Sequence, residues 1–400
     1  MRLRSRAAKI VIWIGMCGIA GVAILLISAW VGNHQATILP VPTGPFAVGR
    51  VTYDWQDSHQ QELMAPRAGI PREIFAWVWY PAATQKSQAT ADYFPASWRS
   101  ALSRQRGWLL TNIMWKDFSR VQAHSIEGAE VSGAQREYPV VLMRAGLAAE
   151  VAGYTSLAED LASHGYVVVG FDAPYRSTLV VFPDGRVVER APENNADLVG
   201  GEQQKRLGTK LVEAWSADTS FAVDRLDELN QNDPTGRLKG RLDMTRVGAF
   251  GHSLGGATTL EFCHDDARCK AGVDIDGAPL GSAVTDGVKQ PFLFLLSDHR
   301  LEPKAETDAV EADIRSIYSR LPVENRVWLM LRGAGHYGFS DLRPLPLQVA
   351  HWLHIVPLDP QRQILITRDC LHRFFDVYLK GAPPSTLQNL QQYPEVESVH

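Results

Sequence analysis

Cysteine is scarce in this 400-residue chain: there are four. None stands among histidines or acids at a spacing that would supply four metal ligands. The nearest approach is "FCHDDARCK", where Cys263 and Cys269 are joined only by His264. Zinc is thereby set aside, and neither a metal nor an organic cofactor is expected. Basic runs are missing too. The net charge is −4, and past the first ten residues no block of lysine and arginine provides the footprint that a nucleic-acid partner requires. There is no internal repeat and no low-complexity tract. What remains, 45% hydrophobic and 21% charged, is ordinary for a globular protein, and the length suits one large domain or two smaller ones.

Only the N-terminus departs from that composition. Arg2, Arg4, Arg6 and Lys9 precede a run from Ile10 to Gly32 that contains no charged residue. Those 23 residues would cross the ~30 Å hydrocarbon core of a bilayer as a helix. A cleavable signal peptide has a shorter apolar core, about 7–15 residues, ending at a small-residue cleavage site. Here "ISAWVGNHQA" offers no clean A-x-A. Residues 1–34 therefore read as an uncleaved transmembrane anchor with its basic flank in the cytoplasm and residues 35–400 on the other side. Cleavage, giving a secreted or periplasmic protein, is the alternative. Cys17 in "IGMCG" is a poor lipid-attachment site because Met16 is bulky. Outside the cytoplasm, Cys263 and Cys269 could close a small loop or remain two thiols at a helix end. Cys370 sits in an amphipathic C-terminal segment.

After a Pro-rich linker, "FAVGRVTYDW" and "REIFAWVWYPA" read as opening strands, and residues 83–137 as an aromatic helical insertion or cap. The pattern then alternates. "YPVVLMRAG", "YVVVGFDAP", "TRVGAFG", "AGVDID", "PFLFLLSD" and "RVWLML" are strand-like. Helical stretches near 154–164, 202–230, 255 onward, 305–320 and 361–379 separate them, and Pro183, Asp184 and Gly185 suit the turn of a hairpin. Uninterrupted Val/Ile/Leu strands between helices predict a mostly parallel sheet covered on both faces, an α/β fold.

At "RVGAFGHSLGGATTL" a buried strand runs directly into a helix through Ser253. A serine at such a junction occupies a strained turn that tolerates only small neighbours two positions away, and Gly251 and Gly255 meet that requirement. The turn lifts the hydroxyl above the sheet edge and aims the amide of Leu254 at a reacting carbonyl. A serine hydroxyl needs a base. His336, in the glycine-rich loop of "RVWLMLRGAGHYGFSD", follows the last strands and suits the chain order Ser, acid, His better than His252, His299, His351 or His354. Two acids are open. Asp276 and Asp298 each end a neighbouring strand, and Asp298 holds the position commonest among such hydrolases. Asp274 is two residues inside its strand, where burial without a partner is costly. The turn in "VVLMRAGLAAE" offers the Leu147 amide as a second oxyanion donor, and nearby Arg144 suits either an anionic substrate group or a structural ion pair.

These motifs resemble an α/β-hydrolase of the platelet-activating factor acetylhydrolase family, as a bacterial homologue. The likeness spans most of residues 40–380 and rests on "PTGPFAVG", "AGLAAEVAGYTSLAEDLASHGYVVVGFD", "GHSLGG", "AGVDIDGAPLG" and the His336 loop. The helix "HRFFDVYLKG" is similar to the closing helix of bacterial relatives and of dienelactone-hydrolase-like proteins. In that family the acid follows the strand after the nucleophile helix, so the resemblance implies Asp276 rather than Asp298. The family's oxyanion segment reads HG-x-G, where this chain has "RAGLA".

The resemblance implies a calcium-independent serine esterase that acts through an acyl-enzyme on short-acyl lipid or phospholipid esters. The aromatic insertion near 93–118 would wall the acyl pocket, and the anchor would hold the enzyme at a membrane. A broad carboxylesterase or polyester hydrolase is the alternative within enzymes. A non-catalytic, membrane-tethered binding protein on the same fold is the alternative outside them, and retention of serine, histidine and both aspartates argues against it. Oligomeric state is not legible.

Overall fold

The computed structural model describes residues 16–400 apart from 17–20, 22, 24–25, 84–88, 342–348, 350, 352 and 400. Most of the apolar run 10–32, with Cys17, lies outside the described residues. Among those described, no helix is long and apolar enough to cross a membrane.

A twelve-stranded sheet organises the chain. In chain order its members are β1 (Thr37–Ile38), β2 (Ala47–Gln61), β3 (Pro71–Ala82), β4 (Thr90–Asp92), β5 (Val121–Glu127), β6 (Tyr138–Arg144) and β7 (Val167–Asp172). A separate hairpin of β8 (Leu179–Val181) and β9 (Val187–Glu189) turns at Gly185, whose φ is +87°. The sheet continues with β10 (Leu242–His252), β11 (Cys269–Ile275), β12 (Phe292–Leu296), β13 (Arg326–Leu331) and β14 (Val396–Ser398). Its spatial order is β1-β5-β2-β3-β7-β6-β10-β11-β12-β13-β14, with β4 beside β5. The central run from β7 to β13 is parallel. Strands β2 and β3 form an antiparallel pair, and β3 joins β7 antiparallel.

The strands are apolar throughout because both faces are covered. Along β3 the side chains alternate: Phe75, Trp77 and Trp79 enter one core, while Ile74, Ala76, Val78 and Tyr80 enter the other. The first core is closed by α2 (Thr155–Ser163) and α6 (Pro360–Lys380), through Leu157, Leu161, Phe374 and Phe375. The second is closed by α3 (Gly201–Asn232), α4 (Leu254–Asp265) and α5 (Lys304–Arg320), through Trp215, Leu226, Leu260 and Ile317. A disulfide joins Cys263 at the end of α4 to Cys269 at the start of β11, and Cys370 is a buried free thiol.

The stretch 83–137 is more than a helical cap. It holds α1 (Ala96–Arg106) and a second helix, Trp108–Met114, but also β4 and β5, which extend the sheet beyond β2. A strand of alternating burial is easily hidden in an aromatic segment, because its neighbours β1 and β2 lie far away in the sequence.

Candidate active site

The parallel strands end on one side of the sheet, and the loops that follow β6, β10, β11 and β13 converge there. Ser253 sits between β10 and α4 with φ +57° and ψ −126°, a conformation that costs a non-glycine residue of order 1–3 kcal/mol. The glycines explain how it is held. A side chain on Gly251 would strike the Gly255 carbonyl, and one on Gly255 would strike the carbonyls of Arg144 and Ala145. The turn after β6 also packs close: a Cβ on Gly146 would approach the Ser253 Cβ to 3.2 Å. That contact brings the Leu147 segment beside Ser253, while Leu254 opens α4, where the first amides have no carbonyl partner within the helix.

Asp276, immediately past β11, also has positive φ (+55°). It is pinned by its surroundings: its amide donates to Leu295 O (2.9 Å), and its Oδ1 accepts from the Ser297 amide (2.8 Å). Its Oδ2 meets His336 Nδ1 at 2.7 Å. Burial alone would raise this carboxyl, but hydrogen bonds from His299, His336 and Ser297 hold it far below the ordinary carboxylate range. For His336 burial opposes the cation, and the Asp276 bond and charge outweigh it, so the imidazole is more basic than an ordinary histidine.

Asp298 is committed elsewhere. Its carboxylate takes Arg300 Nε (2.6 Å) and Nη2 (3.0 Å) and the Gly333 amide (2.8 Å), so of the two acids only Asp276 contacts His336. Asp274 is fully buried, and that burial pushes it up to about 8, so it is largely protonated at neutral pH. Arg144 is structural. It is buried, bonds the Phe171 carbonyl and lies 4.1 Å from the Phe171 ring centroid, outside the cavity.

That cavity, of about 530 Å³, is lined by Ser253, His336 and Leu147 together. Tyr93, Phe94, Trp115 and Phe118, from the aromatic stretch, supply much of the rest. Glu150 also reaches it and is paired with Arg106 (2.9 Å).

Two residues passed over in the sequence matter to this geometry. His252 Nε2 donates to the His336 carbonyl (2.9 Å), and its Nδ1 accepts from the Tyr154 hydroxyl (2.7 Å), which in turn accepts from the Gly146 amide (3.4 Å). Burial pushes His252 down to about 3, so it stays neutral and keeps this tautomer. The chain of bonds ties the histidine loop to the turn after β6. His299 is the other, its Nε2 3.3 Å from Asp276 Oδ1. Neither had a sequence signal beyond lying next to a strand end.

Asp160, His164 and His372 cluster away from this cavity. An ion bound through a ring nitrogen lies in the plane of that ring. The two imidazoles stack at 4.0 Å with planes only 15° apart, so they share no ligand direction. Asp160 is instead engaged by the Thr43 amide and hydroxyl.

A mostly parallel, doubly covered sheet with a strained serine turn at its centre defines an α/β-hydrolase, and comparison with solved structures agrees. A ferulic acid esterase from Streptomyces cinnamoneus superposes with a TM-score of 0.72 over 92% of this chain and all of its own, at 24% identity. The chain belongs to the family described as platelet-activating factor acetylhydrolase, isoform II, whose model matches residues 31–367, and it is a carboxylic ester hydrolase. The platelet-activating factor acetylhydrolase of Canis lupus familiaris is 23% identical over 344 residues, 78% of this chain and 72% of that protein. A probable 1-alkyl-2-acetylglycerophosphocholine esterase of Arthroderma benhamiae is 24% identical over 292 residues, 67% and 69% of the two chains.

Proposed function

We propose that this hydrolase cleaves short-acyl esters of amphiphilic, phospholipid-like alcohols through an acyl-Ser253 intermediate. His336 takes the Ser253 proton as the hydroxyl attacks the ester carbonyl. The amides of Leu254 and Leu147 receive the oxyanion. His336 then protonates the departing alcohol, and water repeats the attack to release the acid. Asp276 holds the imidazole with Nδ1 protonated and Nε2 free to accept. The observation that carries this reading is the 2.7 Å contact of Asp276 with a histidine that lines the same cavity as the strained Ser253. Aromatic walls favour an apolar acyl or alkyl group, and the names of the two relatives favour an acetylated glycerophospholipid.

Turnover of short-acyl phospholipids and of short-chain nitrophenyl esters should be compared, with and without EDTA. A higher kcat/KM on the phospholipid, unchanged by chelation, is expected. Preference for the soluble esters points to a broad carboxylesterase, and loss with EDTA restored by metal contradicts a cofactor-free mechanism.

The reading includes an uncleaved anchor over residues 10–32, supported by the 23 uncharged residues behind a basic flank. On cell fractionation the full chain should sediment with membranes and resist carbonate extraction. A soluble product that has lost these residues would favour the cleaved form.

A further inference from the structure

Asp276 has a second histidine behind it. His299 lies just past β12 with its side chain buried between two carboxylates: Nε2 is 3.3 Å from Asp276 Oδ1, and Nδ1 is 3.0 Å from Glu311 Oε1 on α5. A neutral imidazole has one N–H and one lone pair, so one of these contacts would set a lone pair against a carboxylate oxygen. Only the imidazolium donates at both nitrogens.

We propose that His299 is a positioning residue for the site, fixing the Asp276 carboxylate and sharing its negative charge so that His336 is a weaker base than Asp276 alone would make it. The inference rests on the reading of Asp276 and His336 as acid and base given above.

The charges around His299 are consistent with this role. Asp276 faces it from the end of β11, Glu311 from α5, and Glu302 adds negative charge from the turn that follows it. The neighbouring cations are occupied: Arg300 by Asp298 and Glu397, and Lys304 by Asp308. His336 is the opposing group, since its own cation disfavours a charge on His299 and the reverse. Burial works against the His299 cation, yet the bonds to Asp276 and Glu311 raise it to about 9. A cavity of about 490 Å³ opens on the far side, lined by His299, Glu311 and Lys304, and lets the group exchange protons with solvent. At neutral pH Asp276 therefore divides its charge between two imidazoles.

The sign of the effect follows. His336 must be neutral to accept the Ser253 proton, so kcat/KM falls as pH drops through the His336 pKa, which lies above the ordinary value of about 6.5. Removing the His299 cation leaves the whole Asp276 charge to His336 and moves that acid limb to higher pH.

The test is the pH dependence of His299→Gln and Glu311→Gln, read in two ways. One is the acid limb of kcat/KM. The other is the His336 titration followed by NMR of ¹⁵N-histidine-labelled protein, with His336 assigned by its loss in His336→Ala. His299→Gln should raise both midpoints by about one pH unit. Glu311→Gln should shift them by less in the same direction, because the imidazolium loses one of its anionic partners. In the wild-type spectrum at pH 7.5, the signal that His299→Gln removes should carry protons on both nitrogens. Unmoved midpoints in folded variants overturn the proposal, as does a singly protonated His299. If His299→Gln does not fold, His299→Asn serves for both the assignment and the midpoints. If no ester is hydrolysed, the proposed function fails, while the titrations still report whether His299 governs His336.

Discussion

Ser253→Ala is expected to lower kcat on a short-chain ester by about a million-fold, to the slow hydrolysis that oxyanion donors and binding support alone. The same variant should take up no fluorophosphonate, whereas the wild-type chain gains one adduct, read by intact-protein mass. The fold should not change, because the backbone rather than the hydroxyl holds the turn. The Ser253 amide donates to Ile275 O (2.8 Å), and its carbonyl accepts from the amides of Gly256 (2.8 Å) and Ala257 (3.2 Å). Alanine keeps all three bonds and, like serine, has a Cβ, so it meets the same strain at φ +57°. Loss of activity with an unchanged melting curve therefore separates chemistry from folding. Equal labelling of Ser253→Ala and wild type would move the nucleophile elsewhere and remove the basis of the proposed mechanism.

Ser253 was legible from its own neighbours, whereas Asp276 was preferred to Asp298 only through the family resemblance, and the reason is one of range. The serine turn is local: three glycines within three residues of a serine encode a close approach whatever the rest of the chain does, and the structure places backbone carbonyls where two of their side chains would go. His336 follows from chain order once the serine is placed. The acid depends on which way two side chains turn at the ends of adjacent strands, β11 and β12, and strand periodicity says nothing about that. A closer look at "SDHR" offers a partial signal, since Arg300 is two residues from Asp298 and captures it. His299 had no such signal, because Glu311 comes from the second turn of α5 and Asp276 from another strand. The parallel core was readable for the opposite reason. Its strands are apolar on both faces, a property each segment carries by itself, whereas the half-exposed β5 and the short edge strand β14 depend on distant partners.

Asp276→Asn should cost about four orders of magnitude in kcat, and Asp298→Asn should leave turnover near wild type. The asymmetry comes from what surrounds each carboxylate. Asp276 Oδ1 faces two donors, the Ser297 amide and His299 Nε2, so an asparagine there must turn its carbonyl oxygen toward them. Its NH₂ group is then left pointing at His336 Nδ1. That nitrogen has to become the acceptor, the ring proton moves to Nε2, and the imidazole presents a hydrogen where it must receive one from Ser253. The defect is one of tautomer, so the protein should still fold and still bind substrate, with the loss falling on kcat. Asp274 cannot substitute: it is buried, raised to about 8, and its Oδ1 is taken by the Gly277 amide (2.8 Å). At position 298 the same change weakens only the pair with Arg300, whose side chain is half exposed, and an asparagine oxygen still accepts from the Gly333 amide. Screening by solvent limits that loss to roughly 1 kcal/mol of stability. Steady-state kinetics on both variants decides the matter, and a crippled Asp298→Asn beside an active Asp276→Asn would require the histidine loop to swing to the other strand end, against the bonds that His252 and Gln363 make to its backbone.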